Sequence, residues 1–168
     1  LRVDDRIGEV ALVGQDRDLL APLLHEVARA VDETVVLGVQ DDLFVQYAHV
    51  ELAQRPVMYF QRAGARRPMC RSAVGWALLS ELPDNDIAQL VKRHNAHAED
   101  KILRTGDVMR HVRAAREKGY ALSLGGFLPG VGMLALPVSS RDGLRRYALG
   151  VGGPIDREDI LLADLSAD

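Results

Sequence analysis

Two runs rich in β-branched and aromatic residues, Thr34–Gln40 and Leu43–Val50, stand on either side of the acidic pair Asp41-Asp42. A short acidic turn between two such runs predicts an antiparallel hairpin. One hairpin cannot bury its own face, so the rest of the chain must supply further strands or covering helices. The sequence has 168 residues, enough for one domain with a single core.

Ahead of the hairpin, Leu19, Leu20, Leu23, Leu24, Val27, Ala28 and Val31 recur at helical spacing. They predict an amphipathic helix over Arg17–Asp32, with Asp16 as its cap and Pro22 forcing a late start or a kink. After the hairpin the pattern predicts a third strand over Pro56–Gln61 and a breaker at Arg66-Arg67-Pro68. A short apolar helix over Ser72–Leu79 follows, then a polar helix from Asp84 to about His94. The next helix is the most fully marked. Thr105 is placed to cap it, Asp107 lies in its first turn, Arg113, Arg116 and Lys118 crowd its last, and Gly119 stands where a left-handed residue belongs. Tyr120–Leu124, Val131–Val138 and Leu144–Val151 are expected as strands, punctuated by Gly125-Gly126, Pro129-Gly130 and Asp142-Gly143. A last helix is expected from Asp156 through Leu161, Leu162 and Leu165. The order helix, three strands, three helices, three strands, helix predicts an α+β fold with a mostly antiparallel six-stranded sheet and flanking helices.

Function classes are narrowed by charge and by what is missing. With 24 acidic and 21 basic side chains the net charge is −3, so the chain lacks the basic face of a domain that grips a phosphate backbone unaided. The lone Cys70 excludes an internal disulfide and fits a reducing cytoplasm, and no apolar run is long enough to span a bilayer. Gly150-Val151-Gly152-Gly153-Pro154 fails the spacing of a nucleotide loop, because Pro154 cannot open the required helix. His94 and His97 are spaced for one helix face but lack a third ligand, so no metal and no cofactor is expected. Cys70 lies among Arg66, Arg67 and Arg71, which would favour a thiolate, yet no base or orienting group accompanies it. The Arg62–Arg71 stretch leads into the Ser72-Ala73-Val74-Gly75 helix start, whose free amides could receive a carboxylate; equally, Ser72 could simply cap its own helix over solvated arginines.

The run Arg66-Arg67-Pro68-Met69-Cys70-Arg71-Ser72-Ala73-Val74-Gly75-Trp76-Ala77-Leu78-Leu79, then Gly119-Tyr120-Ala121 with Ser123, Pro129-Gly130-Val131, Ala135, Pro137-Val138 and Gly153-Pro154, resembles the effector-binding domain of IclR-type transcriptional regulators. The resemblance covers nearly the whole chain. It implies a GAF-like ligand-sensing domain over residues 16–168, with residues 1–15 as the end of a DNA-binding module or its linker. The N-terminal winged helix–turn–helix that reads operator DNA is expected upstream and absent here, in keeping with a chain that does not begin with Met. The implied partners are a small organic acid, operator DNA through the missing module, and further copies in a homodimer or tetramer.

Carried over position by position, the resemblance places carboxylate-binding amides at Ala73 and Val74, Ser123 and Met133 on one wall, Gly150 and Gly152 on the last strand, and Arg67 and Tyr59 opposite. The chain departs from the family pattern at Gly126, where an acidic residue is typical, at Met133 in place of a common Cys, at Gly150 and Gly152 in place of frequent serines, and at Trp76 in place of a frequent Lys. Together these departures imply a roomier and less polar pocket, and hence an effector bulkier than glyoxylate or pyruvate, aromatic or alkyl. The alternatives to a regulator's sensor are a small-molecule enzyme or a cofactor-holding GAF-like sensor using the same pocket, and a decayed domain that serves only for assembly.

Overall fold

The computed structural model describes residues 15–156 except 57, 60, 100, 141 and 142, and over 15–19 the backbone alone. The anticipated hairpin forms from β1 (Thr34–Asp41) and β2 (Phe44–Glu51), with Asp41 opposite Phe44. Its turn therefore falls one residue later than expected, on Asp42 and Leu43. Asp42 takes φ 52°, a left-handed conformation that aspartate tolerates better than most side chains. A register shift interrupts the ladder between Leu37 and Gly38.

The third strand is a correction to the sequence reading. No described residue of 56–61 is in a strand; β3 is the short Arg66–Pro68, paired antiparallel with Phe44–Gln46. What resembled a breaker is an edge strand, the place where Pro and charge are tolerated, since one side of the ladder needs no donor. Arg66 secures it by pairing with Asp41 at 2.9 Å and lying 4.3 Å over the Phe44 ring. The apolar 56–61 stretch is held by a side chain in place of a ladder: the Thr34 hydroxyl donates to the Tyr59 carbonyl at 2.6 Å.

With β4 (Ala121–Leu124), β5 (Val131–Ser139) and β6 (Arg146–Pro154), the sheet has the order β3-β2-β1-β6-β5-β4, antiparallel throughout. The last strand runs three residues beyond its expected end, because Gly152, Gly153 and Pro154 still face partners on β5.

Helix α1 (Gln15–Val31) covers one sheet face, packing Leu24 and Ala28 on Val35, Leu37, Tyr147, Leu149 and Val151. It already includes Asp16, which is therefore not its cap, and it runs through Pro22. The other face carries α2 (Ala73–Ser80), α3 (Asp84–His97) and α4 (Thr105–Lys118). Every residue of α2 from Ala73 to Leu79 is buried, as an all-apolar helix must be. Arg116 of α4 ties its far end, donating to the carbonyls of Ser80 and Leu82 and pairing with Asp84 at 2.6 Å. Gly119 has φ 81°, the expected left-handed terminator, whereas Thr105 is helical and caps nothing: Arg104 precedes it and makes no side-chain cap. The helix expected after Asp156 and the segment 1–14 lie outside the described residues, as does Asp142 of the last turn.

Candidate ligand-binding site

The register of the sheet decides which expected site residues share a face. Ser123 lies opposite Met133, Met133 opposite Gly152, and Gly152 opposite Thr34, so these residues form one row across β4, β5, β6 and β1. Ala121, Ala135, Gly150 and Val36 form the next row on that face. The Gly150 row lies under the start of α2. A Cβ built on Gly150 would sit 2.9 Å from Val74 Cγ2 and 3.0 Å from Met133 Sδ. One built on Gly38 would sit 2.4 Å from Val74 Cγ1. Real side chains do not approach so closely, so the glycines let the helix start settle onto the strands.

The helix start is shaped by its cap. Ser72 is extended at φ −130°, ψ 148°, and its Oγ accepts from the Gly75 amide at 3.1 Å, which leaves the Ala73 and Val74 amides as donors that no helix carbonyl reaches. Gly75 itself is required by contact: a Cβ there would lie 1.9 Å from the Met69 carbonyl oxygen. The 3-10 turn Met69–Arg71 thus folds directly onto α2, and Trp76 locks it by donating its indole N–H to the Cys70 carbonyl at 2.9 Å. The Trp76 ring also stacks on His111 at 3.8 Å.

On the opposite side, Val45 pairs with Arg67, which brings Arg67 beside Tyr47. The guanidinium lies 4.4 Å from the Phe127 ring centre and 5.8 Å from that of Tyr47. One terminal nitrogen donates to Gln61 Oε1 at 2.9 Å and the other to the Arg66 carbonyl at 2.9 Å, but its Nε is buried without a hydrogen-bond partner. Among the described residues no carboxylate pairs with Arg67, whereas Arg66 beside it has Asp41. The Tyr47 phenol is held far above its usual range, first by burial and then by the nearby Tyr59, with Arg67 opposing.

Of the expected site residues, Val74 and Met133 close over Gly150, and Tyr59 and Met133 close over Gly152. Ala73 and Ser123 adjoin them, and Arg67 joins the cluster through Tyr47. Sequence reasoning did not find Tyr47, Gln61, Phe127, Gly38 or Thr34. Tyr47 was accessible in principle, since it alternates with Val45 along β2, but only a correctly placed β3 reveals that Arg67 shares that face.

The residues weighed for chemistry fall elsewhere. Burial pushes the Cys70 thiol up to about 11, so the neighbouring arginines do not make it a thiolate. His97 Nδ1 lies 2.9 Å from the Arg93 carbonyl oxygen. His94 is held below the usual imidazole range by burial and then by Arg71. Among the described residues no three His, Cys, Asp or Glu side chains gather to hold a metal ion, and no helix is long and apolar enough to cross a membrane.

Comparison with known proteins agrees with this architecture. Residues 16–159 match the family described as bacterial transcriptional regulator IclR C-terminal. The chain is 25% identical over 133 residues to the HTH-type transcriptional regulator KdgR of Escherichia coli K12, an alignment covering 78% of the chain but 51% of that protein, so the chain spans about half its length. Among solved structures, the effector domain of the transcriptional regulator IclR of Acinetobacter sp. ADP1 superposes with a TM-score of 0.76 at 25% identity, covering 88% of this chain and 87% of that one. HmgR of Pseudomonas aeruginosa gives 0.70 at 27%, covering 90% and 61%.

Proposed function

The chain belongs to the family of C-terminal domains of IclR-type bacterial transcriptional regulators, and from that premise we propose that it senses a small organic carboxylic acid in the site under α2. The observation that carries this reading is Arg67, a guanidinium lying 4.4 Å from the Phe127 ring and 5.8 Å from the Tyr47 ring, with a buried, unpartnered Nε and no acidic side chain paired with it among the described residues. A bound carboxylate would supply the missing partner, and such a charge-assisted bond contributes about 1.5–3 kcal/mol. The Ala73 and Val74 amides offer a second set of donors at a helix start, where a negative charge is also favoured by the helix dipole. Ser123 and Met133 form one wall, Gly150 and Gly152 the floor, and Tyr59 the facing wall.

In this proposal the acid binds one arrangement of the intact regulator better than another. It thereby changes operator binding by a winged helix–turn–helix module outside this chain, in a homodimer or tetramer working in the cytoplasm. The domain is not an enzyme on this reading, and the rival use of the pocket in catalysis gains nothing from a Cys70 thiol that burial keeps protonated.

Thermal denaturation against short and aromatic carboxylic acids tests the proposal. An acid at 100 times its dissociation constant adds about 2.7 kcal/mol, a rise of roughly 5–10 °C for a domain of this size. Arg67→Leu is expected to remove most of the rise. A panel without any shift, or a shift that survives Arg67→Leu intact, overturns it.

A further inference from the structure

The space expected above Gly150 and Gly152 is already filled from within. A Cβ at Gly152 would meet Tyr59 Cδ1 at 2.7 Å, Met133 Cε at 2.9 Å and Tyr59 Cε1 at 3.1 Å, where ordinary carbon contacts lie near 3.5–4.0 Å. The Tyr59 ring thus rests against bare strand backbone and is itself buried. The two fillers differ in freedom. Met133 ends in a flexible thioether that can be rearranged at little cost. Tyr59 is fastened at its backbone by the hydroxyl of Thr34, at 2.6 Å, and Thr34 is fully buried and lies opposite Gly152, the residue on which the ring sits. The same hydroxyl accepts from the Ala53 amide at 3.4 Å, so both arms of the loop are drawn to one point.

We propose that Tyr59 is the specificity-determining residue of this site: a tethered aromatic ring that takes the volume an aromatic ligand would need and restricts the pocket to short-chain carboxylates. The inference rests on the carboxylate reading above and reverses the size expectation drawn from the glycines. Gly152 makes room for the protein's own ring; the ligand is confined to what remains between that ring, Arg67 and the start of α2. A serine at 152 would strike the ring before it reached any ligand.

The test is calorimetric titration of the chain with glyoxylate, pyruvate, benzoate and phenylacetate, repeated on Tyr59→Ala and on Tyr59→Leu, which keeps more of the packing should the alanine variant fold poorly. The parent is expected to prefer a short acid over both aromatic acids by at least tenfold. Removing the ring is expected to shift the aromatic-to-short affinity ratio by about tenfold or more toward the aromatic acids, the equivalent of about 1.4 kcal/mol. Parent binding of benzoate as tight as that of the short acids overturns the proposal, as does an unchanged ratio in both variants. Phenol serves as a separate probe of the vacated volume. If no acid binds the parent, the carboxylate reading fails, and phenol still decides the role of the ring. A rise in Tm of Tyr59→Ala with phenol, absent from the parent, supports Tyr59 as the occupant of ligand-sized space, and no rise in either protein overturns it.

Discussion

Gly75→Ala sets helix propensity against contact, and the structure says which wins. Gly75 lies inside α2 without positive φ, so alanine there would ordinarily stabilise by about 1 kcal/mol. The new Cβ, however, would lie 1.9 Å from the Met69 carbonyl oxygen, 2.6 Å from its carbon and 2.8 Å from its Cα, all backbone atoms that no rotamer change can move aside. Reaching an ordinary carbon–oxygen separation needs a displacement of roughly 1.4 Å between the Met69–Arg71 turn and the helix. That turn is anchored by the Met69 amide to Leu43 and by Trp76 to the Cys70 carbonyl, and the Ser72 cap lies between. Overpacking of this kind costs about 1–3 kcal/mol, a disturbed cap about 1, and a buried hydrogen bond about 1. After subtracting the propensity gain, the net destabilisation is about 2–4 kcal/mol, a fall in Tm of roughly 4–16 °C. Urea denaturation measures it, with Gly106→Ala as the comparison: Gly106 is also helical, but a Cβ there meets nothing within 4 Å, so it should be neutral to slightly stabilising. Equal or greater stability of Gly75→Ala, or an equal loss in both variants, refutes the steric argument.

Arg116→Ala removes the donors for the Ser80 and Leu82 carbonyls and the partner of Asp84, and is expected to destabilise by about 1–3 kcal/mol in urea. Asp84→Ala, which loses an exposed ion pair and one carboxylate from the first turn of α3, should lose less than Arg116→Ala, about 1 kcal/mol. Acid sensitivity has a definite sign. His94 and His111 both have folded values below the usual imidazole range, each chiefly through burial, so their contribution is complete above an unfolded value near 6.5 and declines as the pH falls through the lower folded values. A double His94→Gln, His111→Gln variant should therefore show a flatter stability profile than the parent between pH 7 and 5 in chemical denaturation; parallel profiles would contradict the assignment.

The parts of the fold that were legible in the sequence are those fixed by nearby residues. The β1–β2 hairpin announces itself by two apolar runs around acidic residues, and α4 by its charges and Gly119. The third strand was not legible, since three residues cannot show alternation and Arg66-Arg67-Pro68 carries the composition of a break. Its edge position makes that composition acceptable, and position within a sheet is a tertiary fact. The site was legible by another route. Ser123, Met133, Gly150 and Gly152 came from the family resemblance, position by position, and alternation alone did not select them; the register sets Ser123, Met133 and Gly152 in one row and Gly150 in the next. What stands on the glycines was hidden, because Tyr59 arrives from a loop whose path is set by the hydroxyl of Thr34, a residue that sequence offers only as another β-branched strand former.

The strand order also fixes when such a site can come into being. β1–β2 and β5–β6 are hairpins that close locally and fast, whereas β1 meets β6 by joining Gly38 to Ala148 and Thr34 to Gly152, from opposite ends of the chain. Contacts this remote in sequence bear the largest loop-closure entropy and form late. The row that holds Gly152 and seats Tyr59 straddles this seam, so a ribosome-bound or truncated chain lacking β6 cannot assemble the proposed site however well its first hairpin folds. On the proposed function, a ligand can therefore act only on the finished ladder, and by holding the seam closed it would slow unfolding more than it speeds folding.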